Sequence, residues 1–119
     1  MEKINEKDLV RELRSFSGTE QYFRSFTGLK FTDGIKYLAD KAGAHWLIDL
    51  IGSYQHKLEG VPFQLWTLKV NKDKTAVATC QEDSNLPVIV EQKMEYTDFP
   101  LKEFECYCIG GVLLLKSEY

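Results

Sequence analysis

TDGIKYLADKAGAHWLIDLIGSYQHKL, Thr32 to Leu58, is the stretch on which the reading of this chain turns. Thr32 or Asp33 caps a helix, Ile35, Leu38, Ala39 and Ala42 recur at helical spacing, and Gly43 is its natural left-handed stop. A second helix follows from about Ala44 to Lys57. Its apolar residues Trp46, Leu47, Ile48, Leu50, Ile51, Tyr54 and Leu58 spread over roughly 200° of the circumference, more than one contact surface covers. The helix is therefore expected to pack on a sheet and on other elements at once. Along its opposite side run His45, Asp49, Gly52 and His56, a polar stripe.

Upstream, Asn5 is placed to cap a first helix with Asp8 three residues on, and Leu9, Leu13 and Phe16 fall on one helical face. That helix ends near Ser17-Gly18. Thr19 reads as a further cap, opening a short helical turn in EQYFRSF, which brings the expected helices to about four.

After Gly60 and Pro62 the period changes from helical to strand-like. FQLWTLKV alternates Trp66, Leu68 and Val70 on one face and turns through NKDK into TAVATCQ. PVIVEQKMEY sets Val88, Val90, Met94 and Tyr96 on one face and Glu91, Lys93 and Glu95 on the other. KEFECYCI and VLLLKSEY read as a hairpin through Gly110-Gly111. The expected architecture is a single α+β domain over residues 1–119, with helices in 1–60 packed on an antiparallel meander of four to five strands in 61–119. The apolar last strand, if it lies at an edge, would offer a homo-oligomer contact.

At 119 residues the chain can bury one core without disulfides or a metal. The net charge is −3, and residues 1–60 hold nine charges of each sign, so the acidic excess falls in the second half. No cluster of Lys and Arg forms the basic patch of a nucleic-acid binder. MEKINEKDLVREL lacks the apolar core of a signal peptide, and VLLL is far short of the ~20 residues that span a bilayer, so no membrane association is expected. Three cysteines without a secretion signal point to reduced thiols in a cytoplasmic protein.

Of the polar groups, His45, Asp49 and His56 share one helical face. The histidines stand about 16 Å apart along the axis and cannot hold one metal ion, whereas His45 and Asp49 could orient each other. The plainer reading is a solvated face. Cys106 and Cys108 share a strand face with the spacing C-x-C, and Cys80 sits beside Ala76 and Ala78, the pattern of buried inert thiols rather than of a zinc site. The helix after Gly43 presents Trp46, Leu47 and Ile48 where a DNA-recognition helix needs polar side chains. No catalytic residues, metal ligands or cofactor emerge from the sequence.

SGTEQYFRSFTG, FTDGIKYLADKAGAHWLIDLIGSYQ, EYTDFPL and GVLLLKSEY together resemble a family of small bacterial proteins catalogued as a domain of unknown function. The resemblance spans nearly the whole chain and departs from the pattern at Lys116, where proline is frequent. It implies a bacterial chain of phage or mobile-element origin and transfers no activity. Two functional expectations follow. The first is a non-enzymatic binding or regulatory module acting by contact with a protein partner, with Tyr22, Phe23, Tyr107 and Tyr119 as its surface, since aromatic residues are enriched at interfaces. The alternative is a small enzyme or ligand-binding domain whose pocket lies between helices and sheet, with His45 and Asp49 at its mouth.

Overall fold

The computed structural model describes residues 5–18 and 21–119. Helix α1 (Glu6–Arg14) starts as its sequence requires, the Asn5 side chain accepting from the Asp8 backbone at 2.9 Å, and it buries Leu9 and Leu13. Helix α2 (Asp33–Ala42) is capped by Thr32 and ends at Gly43, whose φ of +64 is the left-handed conformation expected there. Helix α3 (His45–Tyr54) follows after one further residue, Ala44, and runs on into a 3-10 turn, Gln55–Lys57.

Among the described residues seven strands form one sheet: β1 (Tyr22–Arg24), β2 (Lys30–Thr32), β3 (Phe63–Val70), β4 (Ala76–Gln81), β5 (Val88–Met94), β6 (Glu103–Ile109) and β7 (Val112–Leu115). Their spatial order is β1-β2-β7-β6-β3-β4-β5. Three expectations are corrected here. The short helix in EQYFRSF is instead strand β1, hairpinned to β2 through Ser25–Gly28, with Tyr22 opposite Thr32 and Arg24 opposite Lys30. Thr19, expected as a cap, lies outside the described residues. Among the described residues there are therefore three α-helices, and both halves of the chain contribute strands.

The arrangement is also not a plain meander. After the consecutive strands β3, β4 and β5 the chain crosses back, and β6 pairs with the free side of β3, a Greek-key order. The crossover carries Phe99 and Leu101 into the core, so the segment expected as a simple turn is a packed connection. The last strand is not an edge: β7 sits between β6 and β2, antiparallel to the first and parallel to the second. The edges are β1 and β5.

All three helices bury their apolar residues in one cluster with Phe31, Trp66, Leu68, Ala78, Cys80, Phe104, Cys106, Cys108 and Leu113. This is the covered face of the sheet. The wide apolar arc of α3 is accounted for by three neighbours. Leu47 and Ile51 face β3, β4 and β6, the Trp46 ring stands edge-on to Phe99 at 6.4 Å, and Gly52 is pressed against Thr27 of the β1–β2 loop. At Gly52 a Cβ would collide with the Thr27 hydroxyl, so the expected polar stripe is interrupted by packing.

The residues after β7 close the structure. Lys116–Glu118 form a 3-10 turn whose Glu118 carboxylate accepts from the Thr32 hydroxyl at 2.7 Å and the Leu115 N–H at 2.9 Å, and from the Gly34 N–H at 3.3 Å. A negative charge at the first turn of α2 is also favoured by the helix dipole. Ser117 donates to the Leu13 carbonyl at the end of α1. The start of α2 and the residues after β7 thus meet in one hydrogen-bonded knot.

A candidate interaction face

The polar stripe comes apart in the structure. His45 is largely exposed, and its Nε2 lies 2.8 Å from Asp40 Oδ1, not beside Asp49. Asp40 also accepts from Lys36 Nζ at 2.7 Å, and that ammonium holds its carboxyl below the usual carboxylate range, with His45 contributing less. Asp49 is half-buried, and His56 is exposed on the 3-10 turn. Between α3 and the sheet, where a pocket with His45 and Asp49 at its mouth was expected, the void is about 10 Å³ and lined by Leu47, Ile51, Trp66, Thr67, Leu68, Ala78, Phe104 and Cys106. That is hardly room for one water, in a lining almost without polar groups.

The covered face also satisfies its own polar groups. Gln64, buried on β3, exchanges reciprocal 2.9 Å hydrogen bonds with Gln55, donates to the Val61 carbonyl and accepts from Trp66 Nε1. Gln64 is thereby saturated, and among the described residues no buried side-chain polar atom lacks a partner. Burial pushes the Cys80 and Cys108 thiols up to about 12 and raises Cys106 as well, so at neutral pH none is a thiolate nucleophile. Among the described residues no group of three His, Cys, Asp or Glu could hold a metal ion, and no helix is long and apolar enough to cross a membrane.

The other face of the sheet differs. Alternation along β3 sends Phe63, Leu65 and Thr67 there, and register sets Leu65 opposite Tyr107 of β6, which in turn faces Leu114 of β7. Phe63, Tyr107 and Tyr119 form a cluster in mutual contact, with ring centroids 5.1, 5.9 and 5.2 Å apart. Leu65 is only 5% exposed although it lies outside the helix-packed core, while Tyr119 remains 75% exposed. Glu105 anchors one flank, accepting from Thr67 and from Lys116, whose ammonium lies 6.0 Å from the Tyr107 ring centre. The Glu105 carboxylate raises the Lys116 pKa. Lys116 thus sits at the aromatic cluster.

Of the four aromatic residues singled out, Tyr107 and Tyr119 come together. Tyr22 lies on the same face at the β1 edge, where it lines, with Phe23, Arg24, Lys30 and Val112, a hollow of about 330 Å³. Phe23 turns the other way, stacking on Phe31 at 5.6 Å beneath Lys36 on the helix side. Sequence reasoning passed over Phe63, Leu65 and Leu114. The signal was present in FQLWTLKV, which is apolar on both of its alternating faces and so predicts a strand that needs cover on each side.

Compared with known families, residues 7–119 match DUF6876, described as a family of unknown function. No curated protein and no solved structure matches the chain.

Proposed function

We propose that this chain, which belongs to the DUF6876 family of unknown function, is a non-enzymatic binding module whose helix-free sheet face receives an acidic, partly apolar segment of another protein. The observation that carries this reading is the ring cluster of half-buried Phe63 and Tyr107 with exposed Tyr119, on a face that no helix among the described residues covers. Rigid aromatic side chains provide contact area at little entropic cost and are the residue type enriched at protein interfaces.

The acidic character of the partner rests on Arg24 and Lys30. They stand directly opposite each other on β1 and β2, and neither is in an ion pair among the described residues. Like charges directly opposite destabilise a strand pair, and a carboxylate from outside would relieve them. On this reading the setting is the cytoplasm of a bacterium, in keeping with three buried free thiols, and the resemblance favours a phage or mobile-element source.

The test is affinity capture from the native host with three baits: wild type, Tyr107→Ser/Tyr119→Ser, and Arg24→Glu/Lys30→Glu. A protein retained by wild type and by an Asp40→Asn control, lost by both double variants and carrying an acidic segment protected on binding, is the expected result. Identical capture by all baits would overturn the proposal.

A further inference from the structure

We infer that two copies of this chain pair edge to edge through β5, antiparallel, about a two-fold axis at Gln92. Strand β5 is one of the two edges of the sheet and, at seven residues, much the longer one. Among the described residues, one row of its backbone N–H and C=O groups has no neighbouring strand, a ready template for another chain. Of the seven large apolar side chains exposed among the described residues, four belong to this segment: Leu86, Val88, Ile89 and Tyr96.

The register selects the partner. In an antiparallel pair, residues opposite each other must lie on the same face of the continued sheet, so the two-fold has to fall on a residue rather than between residues. Centred on Gln92, the pairing sets Glu91 opposite Lys93 of the second copy and Lys93 opposite its Glu91. On the other face it sets Val90 opposite Met94, both already packed against the core. The regular register runs over Val90–Met94, since a bulge between Val88 and Val90 ends it on that side. Centring on Glu91 opposes two glutamates, and centring on Lys93 opposes two lysines.

Within its own chain neither charge has this role. Glu91 faces Thr79 and Lys93 faces Val77 on β4, and neither is in an ion pair among the described residues. Charged residues on an edge can also serve to keep strands apart. That use does not require the alternating signs that make β5 complementary to itself. The dimer would continue the seven strands of each copy as one sheet, with all helices on one side and both aromatic faces on the other.

Sedimentation over a concentration series at low salt tests the inference without knowledge of any other ligand. Wild type should show a concentration-dependent monomer–dimer equilibrium, and Lys93→Glu or Glu91→Lys alone should weaken it by about tenfold or more. Mixing the two single variants should restore association as a heterodimer, and the swapped Glu91→Lys/Lys93→Glu chain should dimerise like wild type. Both positions are exposed, so the fold is retained, which circular dichroism verifies. A wild type that stays monomeric at every concentration, a dimer indifferent to the single charge reversals, or variants that fail to associate on mixing would each overturn the inference.

Discussion

The two faces of this sheet are made by the same strands, residue by alternate residue, and end in opposite states. On the helix side the void is about 10 Å³ and Gln64 uses its whole hydrogen-bonding capacity on Gln55, Val61 and Trp66. On the other side three aromatic rings hold each other and stop at the solvent. A polar group already satisfied within the chain has little left to offer a ligand, because binding would only exchange one partner for another. Recognition is therefore to be sought where apolar area and unpaired charge remain together, which here is the face the helices leave open.

The most severe way to break this comparison is to empty the covered face. Trp66→Ala removes a buried ring and one of the two donors to Gln64 Oε1, and should cost about 3–5 kcal/mol in urea unfolding. A loss below about 1 kcal/mol would mean that the covered face is not the densely packed one.

Gly34→Ala comes next. Its Cβ would lie 2.6 Å from both Leu115 Cδ1 and Glu118 Oε1, so the knot at the start of α2 must open, at about 1–3 kcal/mol. Combined with Glu118→Ala, which removes one of the two obstacles and the bond to Gly34, the costs should add to less than their sum. Additive thermal melts would show that the two residues do not share the knot.

The smallest effect is expected at the stripe. Asp40→Asn breaks an exposed arrangement with Lys36 and His45 and should cost less than about 1 kcal/mol at neutral pH. Because the folded Asp40 carboxyl is held below its ordinary range, its contribution is present above the unfolded pKa and is lost as the pH falls through the folded one. The stability difference between wild type and variant should therefore vanish in acid. A difference that grows in acid would show that the Lys36 contact is not what holds the carboxyl.

Period and punctuation made α1, α2, α3 and the strands from β3 onward legible, since each carries its own apolar pattern and Gly43 and Gly110-Gly111 stop or turn the chain. The segment YFR was misread because three residues are too few to show a period, and Tyr22 and Phe23 suit a strand as well as a helical turn. Its state is decided by β2 beside it. Strand order was illegible for a similar reason: alternation says that Glu103–Ile109 is a strand, not that it returns to pair with β3. The stripe looked promising because an ideal helix sets His45 and Asp49 one turn apart, but Asp40, arriving from α2, is the nearer partner. Tyr107 and Tyr119 were legible as aromatic surface, whereas their meeting with Phe63 depends on register.

The parallel seam between β2 and β7 imposes an order in time. The Thr32 hydroxyl and the Glu118 carboxylate that receives it are 86 residues apart, and β2 has no neighbour but its own hairpin partner until β7 exists. During synthesis the β1–β2 hairpin, with Phe23 and Phe31 on one side, must wait through nearly the whole chain before it can dock. Contacts of such long range slow folding and prolong the exposure of unpaired strands. Substitutions in β7 should accordingly be felt first as loss of yield at the ribosome and in chaperone load, before they are felt as a lower melting temperature.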